Sequence, residues 1–88
     1  MTINELGQIL RDMYDNAPDG DKVAMIHLFG IRYSDEIMEK IIENNDNKLS
    51  VMKEILKNTK LSNKEQMPAS YEVEISKGLR LSKYVIEK

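Results

Sequence analysis

The sequence of 88 residues contains no cysteine and only one histidine, His27. The absence of cysteine excludes disulfide bonds and thiolate metal sites. A single histidine cannot build a metal site by itself, so we predict neither a metal nor another cofactor. A chain without cysteine is compatible with a reducing compartment, and we expect a cytoplasmic protein.

Long apolar runs are also lacking. No stretch approaches the roughly 20 apolar residues that span a bilayer. The N-terminus lacks the basic start and apolar run of a signal peptide. We therefore expect no membrane as a partner.

The motifs of common enzyme classes are missing as well. His27 lies between Ile26 and Leu28 in an apolar helical pattern, with no nucleophile at a recognisable spacing. We interpret it as a structural histidine. The four glycines are scattered singly and cannot form a phosphate-binding loop. We therefore predict a non-enzymatic protein without catalytic or cofactor-binding residues.

The residues that are abundant favour helices. Hydrophobic residues make up 41% of the chain and charged residues 32%, with only four glycines and two prolines. Leucine, lysine, glutamate and methionine, all well represented, are good helix formers. We predict an all-α fold, a compact bundle of about five helices, in a single domain over residues 1–88.

The first predicted helix spans residues 2–16, where Thr2 and Glu5 have the spacing of a capping box. A turn at Pro18–Gly20 follows. The second helix is predicted to end at Gly30, because glycine readily adopts the left-handed conformation that terminates helices.

The segments 33–46 and 48–61 are predicted to contain the third and fourth helices, with Ser34 as the cap of the third. The side chains predicted to be buried are Ile37, Met38, Ile41 and Ile42 in the third helix and Leu49, Met52, Ile55 and Leu56 in the fourth.

The segment 71–86 fits two structures. Apolar residues alternate with glutamates over 71–75, and 76–78 can form a turn, which is typical of a β-hairpin. The helical interpretation, with Ser70 as the cap, places on one stripe Tyr71, Ile75, Leu79, Ser82 and Ile86. We favour the helix, because an isolated hairpin is marginally stable, and keep four helices plus a C-terminal hairpin wing as the alternative.

Charge is unevenly distributed along the chain. Residues 1–47 carry four basic and ten acidic side chains, whereas residues 48–88 carry nine basic and five acidic ones. This asymmetry would steer an anionic partner toward the C-terminal half.

A helix-turn-helix places the exposed first turns of its second helix in the major groove of DNA. Helix four, a turn through Leu61 and a helix from Ser70 give the same succession of helix, turn and helix, although the connection between the two helices is long. The predicted nucleic-acid-binding residues are Lys57, Lys60, Lys64, Lys77, Arg80, Lys83 and Tyr84. Glu72 and Glu74 oppose this function, since carboxylates repel phosphates.

A second segment, residues 26–37, has the same order of helix, glycine and capped helix. The helix that follows it is acidic, so we interpret it as a supporting helix rather than a DNA-binding one.

The alternative function is a protein–protein interaction or dimerisation module without DNA binding. The six methionines of the chain suit a binding surface that can adapt to a partner. A homodimer is compatible with either function, because a small chain gains stability by self-association.

Three blocks, ELGQILRDMY, KVAMIHLFGIRYSDEI and SYEVEISKGLRLSKYV, resemble a small bacterial family described as helix-turn-helix-like. Its members are short proteins or domains, some of them near restriction or phage-defence functions. The resemblance implies a compact helical domain with Ser70 to Val85 as a helix, and a DNA-related role. The chain departs from the family in having NTKLSNKEQMPA where a short turn with glycine is usual.

Overall fold

The computed structural model describes residues 1–60 and 64–85. The helices are α1 (Ile3–Asp15), α2 (Lys22–Arg32), α3 (Ser34–Glu43), α4 (Lys48–Lys57) and α5 (Glu72–Leu81), with a short 3-10 turn at Ala69–Tyr71. No β-strand occurs in these two ranges, so the prediction of an all-α bundle of about five helices is confirmed.

Apolar side chains from all five helices, with Met67 from the last connection, form one core. Its buried members are Leu6, Leu10, Ile26, Phe29, Ile37, Ile41, Val51, Met52, Ile55, Leu56, Met67, Ile75 and Leu79.

The alternative of a C-terminal β-hairpin is wrong. Residues Glu72–Leu81 form the helix α5, and Ile75 and Leu79 on one side of it both reach the core. The helical conformation of this segment is stabilised by tertiary contacts, since α5 packs on α2, on α4 and on the 3-10 turn. Ile86, the last residue of the predicted stripe, lies outside the described residues.

Local sequence signals set the ends of α1 as predicted. The Thr2 N–H donates to Glu5 Oε1 at 2.9 Å, and the Glu5 N–H donates to Thr2 Oγ1 at 3.1 Å, which completes the capping box. This hydrogen bonding holds the pKa of the Glu5 carboxyl below its ordinary value. Gly20 has a φ of +92°, a left-handed conformation that suits glycine in the following turn.

The break between α3 and α4 uses asparagine and aspartate in place of glycine. Asn45 and Asp46 have φ values of 56° and 62°, and these two residue types tolerate the left-handed region. The Asn47 side chain then caps α4 by accepting the Ser50 N–H at 3.1 Å.

The predicted caps of α3 and α5 are wrong. Tyr33 alone separates α2 from α3, so its carbonyl accepts the Ile37 N–H at 2.9 Å and Ser34 is already helical. Ser70 lies inside the 3-10 turn before α5, and no side chain caps that helix by a hydrogen bond.

Three side chains predicted to be buried are exposed. Met38 is 44%, Ile42 65% and Leu49 50% exposed. In α3 the buried line runs through Ile37 and Ile41, and the next residue along the chain is turned about 100° away from that line.

Gly30 does not end α2, contrary to the prediction. The helix continues for two more residues, and Gly30 is buried where α2 crosses α5 at Gly78. A Cβ on Gly30 would lie 2.7 Å from the Ile75 carbonyl oxygen, and a Cβ on Gly78 would overlap the His27 carbonyl oxygen. The two glycines therefore allow the helix backbones to touch, and α2 and α5 form the most extensive helix contact.

The long connection from α4 to α5 is tied back to the bundle. Thr59 is fully buried, and its hydroxyl accepts the Met67 N–H at 2.8 Å. The Arg11 guanidinium donates to the Glu65 carbonyl oxygen at 3.3 Å. These bonds let Met67 join the core. Leu61, through which the turn was predicted to pass, lies outside the described residues.

The substitution Gly78→Ala should lower the free energy of unfolding by at least about 1 kcal/mol. The added methyl group would meet backbone atoms of His27 and Gly30, which cannot move aside as a side chain does. Overpacking typically costs about 1–3 kcal/mol, and a clash with backbone lies at the upper end of that range or above it, so the cost exceeds the roughly 1 kcal/mol that alanine gains over glycine in a helix.

Urea denaturation followed by circular dichroism measures this change. Ser76→Ala in the same helix is the matched control and should change stability by less than about 0.5 kcal/mol. A Gly78→Ala protein as stable as the wild type would contradict the close crossing.

Candidate nucleic-acid interface

Contacts with α2 fix the position of α5 in the bundle. Next to the glycine crossing, the His27 and Glu74 side chains form a hydrogen bond, with Nε2 2.7 Å from Oε1. Lys77 Nζ also approaches Glu74 Oε1, at 3.5 Å. The hydrogen bond with His27, and then the nearby Lys77 charge, hold the pKa of the Glu74 carboxyl below its ordinary value. His27 is thus structural, as predicted, and it links two helices.

The opposite side of α5 is exposed and basic. Val73, Lys77 and Arg80 recur at spacings of four and three residues, so they form one stripe along the helix. Beyond Leu81 the backbone continues with turn-type hydrogen bonds, in which Lys83 and Tyr84 donate to Arg80 and Leu81. Lys83 therefore follows the same side of the chain as Arg80.

A groove runs beside this stripe, and its first section has a volume of about 420 Å³. Its walls come from the start of α4 and the exposed side of α5. The lining residues are Lys48, Leu49, Met52, Glu72, Val73, Ser76, Lys77 and Arg80. Three cations and one carboxylate thus surround an apolar floor.

The second section of the groove, of about 490 Å³, continues toward α3. Lys48 and Arg80 line both sections, so the two sections are adjacent. The residues of this section are Ser34, Asp35, Met38, Ile41, Asp46, Lys48, Leu79, Arg80, Ser82 and Lys83. We call the four cations of the two sections, Lys48, Lys77, Arg80 and Lys83, the basic cluster.

The carboxylates near the basic cluster differ in their surroundings. Glu74 bonds to His27 and does not line the groove, but its Oε1 atom lies 3.5 Å from Lys77 Nζ and offsets part of the charge of that lysine. Glu72 does line the first section, and its Oε2 atom is buried without a hydrogen-bond partner among the described residues. Asp35 and Asp46 lie on the α3 side of the second section. In the second section, the carboxylates therefore lie on the α3 side, and Arg80 and Lys83 lie on the α5 side.

The other predicted lysines lie elsewhere. Lys57 is the last residue of α4, nine residues from Lys48, which corresponds to about 14 Å along a helix. Lys60 is exposed just beyond it. Lys64 Nζ lies 2.7 Å from Asp15 Oδ2, and this bond, followed by the Arg11 charge, holds the pKa of the Asp15 carboxyl below its ordinary value. The structure thus brings Lys77, Arg80 and Lys83 together but separates these three lysines from them.

Tyr84 is 81% exposed and lines neither section of the groove. Its ring is therefore open to solvent beside Lys83.

Sequence reasoning missed Lys48, which lies opposite Arg80 across the groove. The two residues are 32 positions apart, and no local pattern connects them. Only the packing of α4 against α5 brings them to one surface.

The geometry departs from a tight helix-turn-helix. Fourteen residues, 58–71, separate α4 from α5, and α5 is supported mainly by α2. The closely connected pair is α2 and α3, whose exposed residues include Asp35 and Glu39. The supporting role of the acidic third helix stays a prediction.

Residues 1–60 and 64–85 contain no group of three or more histidine, aspartate or glutamate side chains arranged to hold a metal ion. Within the same part of the chain, none of the helices has the length and apolar character needed to cross a membrane.

Comparison with protein families matched residues 2–88 to the model of the HTH-like domain. The match covers every helix and the whole groove. Comparisons with curated proteins and with solved structures gave no match.

The substitution Glu74→Gln should lower stability at pH 7 and have less effect in acid. Because the pKa of Glu74 is lowered in the folded protein, its charge contributes stability above the ordinary carboxyl pKa of 4.5, and this contribution is lost as the pH falls through the lowered value. Glutamine keeps a hydrogen-bond acceptor for His27, so the comparison isolates the charge.

Urea midpoints of both proteins between pH 7 and acid pH test this prediction. Glu54→Gln, which alters the exposed pair with Lys57, is the control and should show little change at any pH. A Glu74→Gln effect that persists undiminished in acid would show that the charge is not its cause.

Proposed function

The chain belongs to the HTH-like domain family, and we propose that it is a non-enzymatic, cytoplasmic domain that binds nucleic acid through the basic cluster. One observation carries the proposal. Lys48, Lys77 and Arg80 surround the same groove section, beside a helix that presents an exposed stripe along its length.

The arrangement suits a polyanion for electrostatic reasons. Each phosphate that a lysine or arginine neutralises releases counterions from the nucleic acid, which gives affinity without dependence on sequence. Arg80 lines both sections of the groove and carries the planar guanidinium that can bind guanine with two hydrogen bonds. Lysines at positions 48, 77 and 83 act as phosphate contacts around it.

The rigidity of α5 also supports the proposal. The helix is held against α2 by the glycine crossing and by the bond between His27 and Glu74. A binding helix fixed in this way keeps its exposed stripe in one orientation, which reduces the ordering cost of binding.

The remaining predicted lysines have a smaller part in the proposal. Lys57 and Lys60 are separated from the basic cluster by the length of α4, and Lys64 already bonds to Asp15. They would contact phosphates only of a nucleic acid long enough to extend along α4.

Reversing the charge at Lys77 and Arg80 tests the basic cluster. The double variant Lys77→Glu and Arg80→Glu should bind a labelled DNA duplex at least tenfold more weakly in fluorescence anisotropy. Four phosphate contacts predict a slope of about −3.6 for the logarithm of the affinity against that of salt, and the variant should reduce this slope by about 2.

The matched control reverses Lys57 and Lys60 to glutamate, an identical change in charge at the far end of α4. This variant should stay within about threefold of the wild type, since its lysines lie outside the groove. Equal losses in the two double variants would mean that only net charge matters, and no binding by the wild type at low salt would exclude the proposed function.

Tyr84 is predicted to stack on an unpaired base. Its ring is 81% exposed, and aromatic stacking is worth about 1–3 kcal/mol per base. Tyr84→Ala should therefore weaken binding to a single-stranded oligonucleotide by about tenfold or more, whereas Tyr84→Phe should retain it. Anisotropy measurements with single strands and with duplexes show whether Tyr84 contributes specifically to the binding of unpaired bases. A Tyr84→Ala protein that binds single strands normally would remove Tyr84 from the site.

A second candidate function, protein–protein interaction, is favoured by exposed apolar side chains at the groove. Leu49 and Val73 are each 50% exposed, and Met38 lines the second section. Phosphates do not need such side chains, whereas protein interfaces use them at their centres.

A further inference from the structure

The outward side of α3 combines apolar and acidic residues. Met38 and Ile42 are exposed and four residues apart, and Asp35 and Glu39, also four apart, lie beside them. On a helix these positions fall within an arc of about 100°, directed away from Ile37 and Ile41 in the core. We call these four residues the α3 ridge. No described helix of the same chain covers Ile42, the most exposed of the apolar members.

The first section of the groove has the complementary composition. Its exposed apolar residues are Leu49 and Val73, and its cations include Lys77 and Arg80. The first section thus combines two exposed apolar side chains with three cations and one carboxylate, and the ridge combines two with two carboxylates, so the net charges of the two surfaces are of opposite sign. Complementary charge of this kind selects a partner and its register.

The α3 ridge and the groove are neighbours on the molecule. Met38 and Asp35 belong to the ridge and also line the second section, which joins the first section at Lys48 and Arg80. In a twofold dimer, each copy presents the same pair of surfaces to the other. An axis passing over the second section would place each ridge on the first section of its partner.

We infer that the α3 ridge of a second copy of this chain occupies the first section of the groove. Met38 and Ile42 of each copy then contact Leu49 and Val73 of the other, and Asp35 and Glu39 approach Lys77 and Arg80. This contact deepens the protein-interaction candidate given above and does not depend on nucleic-acid binding. Since it covers Lys77 and Arg80, the second copy and a nucleic acid would exclude each other.

Sedimentation velocity over a concentration series tests the inference with two charge-reversal variants. The ridge variant carries Asp35→Lys and Glu39→Lys, and the groove variant carries Lys77→Glu and Arg80→Glu. The wild type should self-associate, less strongly at high salt because exposed charges are screened. Each variant alone should associate at least tenfold more weakly, because it sets like charges against each other.

An equimolar mixture of the two variants is the decisive measurement. In the mixed dimer, one contact joins the unaltered groove to the unaltered ridge, and the other joins two reversed surfaces of opposite charge. The mixture should therefore recover association close to that of the wild type. The control that reverses Lys57 and Lys60 has the charge change of the groove variant and should self-associate normally.

A further variant, Ile42→Asn, guards against effects on folding. Ile42 is 65% exposed, so the change should leave the unfolding transition in place while it weakens self-association at least tenfold. A wild type that stays monomeric at all concentrations would overturn the inference, as would a mixture that fails to recover or an Ile42→Asn protein that associates normally.

The two proposed functions can fail separately. The ridge variant should keep its affinity for duplex DNA, or gain affinity, whereas the groove variant should lose both activities. A wild type that binds DNA without self-association, or that self-associates without DNA binding, identifies which of the two proposals is wrong. Binding of the groove to an acidic helix of a different protein, with no self-association by the wild type, would assign the surface to another occupant and overturn the inference.

Discussion

The backbone contact between α2 and α5 at Gly30 and Gly78 is the constraint on which the functional surface depends. Glycine in a helix is unfavourable by about 1 kcal/mol relative to alanine, yet here any Cβ would meet backbone atoms of the facing helix. The close approach brings His27 within hydrogen-bond distance of Glu74 and lets Ile75 and Leu79 enter the core. As a result, α5 presents its basic stripe to solvent in a single orientation.

The same packing separates the charges of the chain. Glu74, on the side of α5 that faces α2, pairs with His27, while Lys77 and Arg80 line the groove on the other side. Across that groove lies α3, whose exposed residues are acidic and apolar. A small domain with a net charge of −2 thereby carries a basic surface and an acidic surface side by side. The proposed recognition of an anion at the basic surface and the proposed contact with another copy both depend on this one arrangement.

Much of the fold could be predicted because its signals are local. The capping box at Thr2 and Glu5, the turn at Gly20 and the helical spacing of core residues such as Ile37 and Ile41 each involve residues within one or two turns of chain. The errors arose where a helix end or a buried side depends on distant contacts. Gly30 is of a residue type that often ends helices, but it lies where α2 crosses α5. Helical spacing alone could not decide that the side chains next to Ile37 and Ile41, such as Met38 and Ile42, are exposed.

The sequence by itself determined the helical class and the concentration of positive charge near the C-terminus, since composition and short-range periodicity carry this information. Tertiary structure alone decided that Lys77, Arg80 and Lys83 share a groove with Lys48, while Lys57, Lys60 and Lys64 lie apart. It also decided that the segment after Ser70 is helical, which its alternating pattern left open. The physical reason is that a helix presents its residues in a known order around its axis, but only its neighbours determine which side is left for a partner.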